Sequence, residues 1–203
     1  MAYVSDGMIA EMERRYGAPR HLDLSFEILP PEMVMLQGSK KHDRNHDVTV
    51  FIFKDRSYRE FAAIAKHMFP EGAYRAPSGA ANPGEDLEAG TLREALEETG
   101  LEIEIDRFIL HVHARFTCGP VVENWRSLVF TAMHGGGELK HRDMEEIRET
   151  KWVTLEELQG PIREKLLATG MGLFAYRVDL HDASVEEILK LRGGQGRVPP
   201  PRP

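Results

Sequence analysis

Gly79-Ala80-Ala81-Asn82-Pro83-Gly84-Glu85-Asp86-Leu87-Glu88-Ala89-Gly90-Thr91-Leu92-Arg93-Glu94-Ala95-Leu96-Glu97-Glu98-Thr99-Gly100-Leu101 decides how this chain reads. Five residues separate Gly79 from Glu85, and seven more lead to Arg93, after which Glu94, Glu97, Glu98 and Gly100 follow at fixed places. The spacing predicts a loop running into a helix. At roughly 100° per residue, Glu94, Glu97 and Glu98 stand at i, i+3 and i+4 and project from one side, with Leu92, Leu96 and Ala89 expected on the opposite, core-facing side. Like charges this close repel by roughly 0.2–0.5 kcal/mol per exposed pair, a conflict that a bound cation removes. Carboxylates gathered on a loop and one helix suit a hard divalent ion, which takes oxygen ligands and keeps positions open for phosphate. Arg93, at the flank of the acidic face, is placed to hold Glu85 by a bidentate pair and so supports the site structurally. Gly100 is suited to a left-handed C-terminal cap.

A bare Glu-x-x-Glu-Glu would be read as a solvated acidic helix face. The full spacing of Gly79, Glu85, Arg93, Glu94, Glu97, Glu98, Gly100 and Leu101 is far more specific, and position by position it resembles the signature box of the Nudix hydrolases. Ala95 stands where that family usually has Ile, Leu or Val, and Ala80 where relatives often have a second Gly. The resemblance implies an α/β fold, an α/β/α sandwich with a mixed β-sheet and a catalytic loop–helix–loop. It implies Mg²⁺ or Mn²⁺ held by Glu94, Glu97, Glu98 and the Gly79 carbonyl, and hydrolysis of a diphosphate linked to another moiety, usually a nucleoside. The family's general base is either the residue at Glu94 or a Glu on a later loop, where Glu145, Glu146 and Glu149 fall; Glu146 is the candidate taken forward. A weaker similarity extends over residues 47–158, because Trp152 to Leu158 looks like the strand-to-helix passage of many relatives. The rival reading is a catalytically silent module of the same fold that binds a nucleotide or a partner and regulates. Retention of Glu85, Glu94, Glu97 and Glu98 argues against it.

Composition is that of a globular catalytic domain. With 203 residues, 41% hydrophobic and 29% charged, the chain supports one core plus extensions. A formal net charge of −7 disfavours a nucleic-acid-coating surface. A single cysteine, Cys118, excludes an intramolecular disulfide and fits a reducing compartment. The first residues carry early charges and no long apolar run, so neither a signal peptide nor a membrane span is expected, and a cytoplasmic location follows.

Along the chain, residues 4–16 predict a short amphipathic helix, and 22–28 alternate as a half-buried strand that Pro30-Pro31 ends. Residues 48–53 read as a buried strand, and 61–68 and 73–76 as segments flanking a turn at 70–72. A long strand or bent pair is expected over 102–116, strands over 127–134 and 149–153, a mobile turn at 135–137, and helices at about 154–168 and 184–192. The expected organisation is an extension at 1–46 packed on the core, a hydrolase domain at 47–192, and a disordered Gly/Pro-rich tail at 193–203. The extension is expected to cover a sheet edge or to pair with a second subunit in a homodimer.

Other residues carry candidate roles. Lys40, Lys41, His42, Arg44 and His46 form a basic loop in which His42 and Arg44 are candidate substrate contacts, against the alternative of solvated surface charge. Arg75, just before the box, is a candidate phosphate partner. His111 and His113 share one face of a strand and resemble a zinc pair, but without a third His or Cys at metal spacing they read as core or surface histidines. Trp125 and Phe116 read as base-stacking or simply buried rings. The substrate class stays broad. Pro120 falls nineteen residues beyond Leu101, against about sixteen in the ADP-ribose class, and the marks of the dinucleoside polyphosphate, coenzyme A and NADH classes are missing. A nucleoside diphosphate derivative, such as a nucleotide sugar or a nucleoside triphosphate, is the expectation, with a small-molecule substrate and no membrane or nucleic-acid partner.

Overall fold

The computed structural model describes residues 4–40 and 44–194. Helix α1 (Asp6–Tyr16) opens with Ser5 as N-cap, its side chain accepting from the Met8 N–H. The edge strand β1 (Arg20–Glu27) follows, and then α2 (Pro30–Ser39). Strands β2 (His46–Phe53), β3 (Glu60–Lys66) and the short β4 (Ser78–Gly79) lead to α3 (Leu87–Thr99). Two long strands, β5 (Leu101–Cys118) and β6 (Val121–Gly137), precede β7 (Ile147–Thr154) and the helices α4 (Leu155–Glu157), α5 (Arg163–Leu167) and α6 (Gly172–Gly194).

The seven strands form one mixed sheet in the order β1-β5-β6-β2-β3-β7, with β4 pairing β2. Strand pairs β1/β5 and β2/β6 are parallel; the rest are antiparallel. Every residue of β2 is buried, as a strand covered on both faces requires. Its Val48, Val50 and Ile52 join a cluster with Ile9 and Met12 of α1 and Leu87 and Ala95 of α3. Its Phe51 and Phe53 join the opposite cluster, with Leu36 of α2, Leu166 of α5, and Phe174 and Leu180 of α6. The chain is therefore an α/β/α sandwich, α1 and α3 on one face and α2, α5 and α6 on the other. Among the described residues no helix is long and apolar enough to cross a membrane.

Four expectations change. The Pro30-Pro31 pair does more than end a strand; it opens α2, where a missing N–H is costless. Buried Glu32 accepts from the N–H of both Leu29 (2.9 Å) and Leu173 (2.7 Å), tying the starts of α2 and α6 together. The single helix expected at 154–168 is broken. Pro161 lacks a donor and Gly160 has non-helical backbone angles, so a kinked π-type segment at Leu158–Ile162 separates α4 from α5. The last helix begins at Gly172 rather than near 184, because its first half is buried on several sides and carries no amphipathic period. Finally, the glycines at 135–137 continue β6, with Gly136 beside Glu102 and Gly137 beside Leu101. Gly193 and Gly194 end α6, and the rest of the expected tail lies outside the described residues.

Candidate active site

The loop from Ser78 to Asp86 and helix α3 form the site's frame. Asp86 caps the helix by accepting from the N–H groups of Glu88 (3.0 Å) and Ala89 (3.1 Å). Gly100 ends it in the left-handed region at φ 77, where an added Cβ would collide with the Lys140 carbonyl.

The helix does not face the way a hydrophobic wheel suggests. Leu92 is 37% exposed, and the buried side consists of Leu87, Gly90, Thr91, Ala95, Glu98 and Thr99. Small residues let α3 lie close on the sheet, and that contact carries Glu98 inward to 4% exposure. Glu94, Glu97 and Glu98 therefore occupy different surroundings rather than one exposed face. Glu98 accepts from the Ser78 N–H at 2.7 Å, with Arg75 Nη2 at 3.7 Å and Lys66 Nζ at 3.8 Å. Burial pushes its carboxyl up to about 7; Arg75 and Lys66 oppose the rise and nearby Glu94 adds to it.

Glu94 leans on the bare Cα of Gly79, and any Cβ at Gly79 would overlap its carboxylate. Gly79→Ala is accordingly expected to displace Glu94 and lower kcat roughly ten- to hundredfold. The melting temperature should move little, and parallel kinetics and thermal melts on the variant check both halves.

Arg93 gathers the remaining acids. Its Nε and Nη2 donate to the two Glu85 oxygens, each at 2.9 Å, and Nη2 also reaches the Ala80 carbonyl at 3.0 Å. Its Nη1 reaches Glu94 at 2.9 Å and Glu97 at 3.0 Å. The Glu97 side chain is half exposed. Glu146, just before β7, is ion-paired with Lys66, whose hydrogen bond holds its carboxyl below the usual range. Lys66 thus links Glu146 to Glu98. The donors around Gly79 are carboxylate oxygens and a backbone carbonyl, and a buried carboxylate among them is costly while charged and uncompensated. Such a set fits a hard divalent cation.

Beside this frame lies a cavity of about 360 Å³ that includes Ser78 and Gly79 in its wall. Arg44, Lys66, Arg75 and Arg177 line it with positive charge. Arg75 is pinned by backbone hydrogen bonds with Ile64 of β3, and its side chain donates to Ser78 Oγ. Burial, reinforced by neighbouring Arg177, pushes the Arg75 guanidinium down to about 10. The Nε atoms of Arg44 and Arg75 are buried with no hydrogen-bond partner among the described residues. Arg177, from α6, reaches Thr49 Oγ1 at 3.3 Å and Asp47 Oδ2 at 3.5 Å. The rest of the wall is apolar: Phe69, Phe116, Trp125 and Phe174, with Met35, Met68 and Met171.

Of the sequence candidates, Arg44, Arg75, Phe116 and Trp125 come together in this cavity. Lys40 turns instead to Glu123 at 2.6 Å, and His46 is buried in β2. Lys41 and His42 lie outside the described residues. Sequence reading missed Lys66 and Arg177. A lone cation in the largely apolar stretch 173–180 is the available signal for Arg177, since an arginine on a buried helix is costly without a partner or a role.

A family model described as the NUDIX domain matches residues 42–171. The match spans more than half of the chain, and the chain belongs to the NUDIX family. Among solved structures, a NUDIX hydrolase from Nitrosomonas europaea is 22% identical at a TM-score of 0.48, over 76% of this chain and 92% of that one. A MutT NUDIX hydrolase from Burkholderia pseudomallei is 23% identical at a TM-score of 0.43, over 55% and 84%. A UDP-X diphosphatase is 16% identical at a TM-score of 0.44, over 74% and 66%. No curated protein matches.

Proposed function

We propose that this chain hydrolyses the diphosphate linkage of a nucleoside diphosphate derivative with Mg²⁺ or Mn²⁺. The observation that carries the reading is the shared wall: Ser78 and Gly79, which touch Glu98 and Glu94, also border the cationic cavity. Glu94, Glu97, Glu98 and the Gly79 carbonyl would hold the cation, which when bound supplies charge neutralisation at the phosphoryl oxygens and a more acidic water. Arg75 and Arg177 bind the far phosphate, and Arg44 the next polar group. The aromatic and methionine wall takes the non-reacting moiety, with the methionines adapting to its shape. The attacking water loses its proton to a carboxylate of this set, Glu94 against Gly79 or Glu146 across Lys66. Attack at phosphorus breaks one bridging P–O bond, and two phosphorylated products leave. Arg93 touches no substrate; it positions Glu85, Glu94 and Glu97.

A screen of nucleotide sugars, dinucleoside polyphosphates and nucleoside triphosphates with Mg²⁺ or Mn²⁺, reading released phosphates, tests the reading. On the best substrate, Arg44→Ala and Arg177→Ala should each raise KM about tenfold and leave kcat within about threefold, as contacts equal in ground and transition states do. Unchanged KM in both would remove the cavity from the account. We further propose that residues 1–46 act as an extension on a hydrolase domain at 47–192. A homodimer formed through that extension would show in light scattering and be lost on its removal.

A further inference from the structure

Three elements meet at the outer edge of the sheet, away from the box. Parallel pairing of β1 and β5 sets His21 directly beside His111, their ring centroids 5.2 Å apart. Helix α1 brings Glu13 over the same spot, and one donor atom from each of Glu13, His21 and His111 lies within 4.8 Å of the others. His113, two residues further along β5, places its Nε2 3.0 Å from the Nε2 of His111. His111 is only 7% exposed, and its Nδ1 is buried without a hydrogen-bond partner among the described residues. A buried ring nitrogen left in this way costs free energy that a ligand would recover. None of the four residues belongs to the cation site proposed above. Three imidazoles and one carboxylate are also a different donor chemistry from the box, nitrogen-rich and suited to zinc rather than magnesium.

We propose that Glu13, His21 and His111, with His113 as the fourth donor, form a second metal site for a borderline transition cation such as Zn²⁺, which fastens helix α1 and strand β1 to the core sheet. The ligands come from α1, β1 and β5, so the bound ion crosslinks the N-terminal segment to the central strands. Binding to the folded chain alone would raise its stability by mass action. Glu13, His21 and His111 need only small rotations, because ligands around one tetrahedral ion sit somewhat closer together than the 4.8 Å limit within which these three donors lie. His113 stands outside that trio and would turn from His111 toward the ion.

The test is a titration of the full chain, stripped of metal and held in excess Mg²⁺ to cover the box. Zn²⁺ binding is followed by calorimetry, and Co²⁺ by its visible absorption. The wild-type chain should take one equivalent of Zn²⁺ and melt higher with it, and Co²⁺ should develop the intense visible bands of four-coordinate nitrogen and oxygen ligation. His21→Ala and Glu13→Gln change side chains that are not buried, so both variants should fold and keep Mg²⁺-dependent turnover. Each should weaken Zn²⁺ binding at least about tenfold and flatten the Co²⁺ spectrum. Absence of Zn²⁺ uptake in excess Mg²⁺, or identical titrations in wild type and both variants, would reduce the cluster to packed histidines at a sheet edge and overturn the proposal.

Discussion

Glu98→Gln should cost at least about a hundredfold in turnover, roughly 2.7 kcal/mol of transition-state stabilisation, yet melt no lower than the wild-type chain when no metal is added. Both halves follow from the burial of Glu98, which is 4% exposed and has its carboxyl pushed up to about 7. Glutamine keeps the shape and still accepts the Ser78 N–H, so packing survives. It also removes a negative charge that burial disfavours, so the metal-free fold gains above neutral pH what the active site loses. Glu97→Gln should lose turnover comparably with little effect on melting, its side chain being half exposed. Near-normal rates in both variants on the best substrate would show the site assignment to be wrong.

Acid should unfold this chain through its buried histidines. His46 is fully buried, and desolvation pushes its imidazole down to about 4; His181 is also buried and held well below the ordinary value of 6.5 for the same reason. Both have folded-state values beneath the unfolded one, so between pH 6.5 and 4 the unfolded chain binds the extra protons. Their contribution is present above about pH 6.5 and is lost as pH falls toward 4. At about 1.4 kcal/mol per unit the loss from His46 is on the order of 3 kcal/mol. Glu98 works in the opposite sense, its raised value favouring the fold at low pH, so a difference measurement is the clean one. His181→Leu keeps an apolar partner for Phe51, whose ring lies 6.0 Å from that of His181. The variant should lose less stability than wild type between pH 7.5 and 4.5 in denaturant unfolding. Identical losses would mean that His181 does not titrate with unfolding.

The stretch from Gly79 to Leu101 was legible because its spacing is carried by residues whose chemistry tolerates few substitutes: Gly79 under a carboxylate, Arg93 forked onto Glu85, Gly100 in a left-handed cap. Strands β2 and β7 were legible from their composition, and β1 from its alternation. What failed did so for physical reasons. A hydrophobic wheel turns leucines inward, whereas close helix–sheet approach turns Gly90, Thr91 and Ala95 inward and takes Glu98 with them. The first half of α6 lacks a period because it is buried on several sides, and Arg177 was hidden with it. His21 stands ninety residues before His111, a separation at which no local spacing rule operates. Only the parallel register of β1 on β5 brings the two rings together.

The central claim is cation-dependent cleavage of a diphosphate at the wall shared by the box and the cavity. It is tested most directly by following the best substrate with ³¹P NMR, with Mg²⁺ and then with excess chelator. The account predicts two phosphorylated products from one bridging P–O cleavage in Mg²⁺, and none once the metal is removed. Cleavage that continues unchanged in chelator, or a phosphoenzyme in place of the second product, would contradict it.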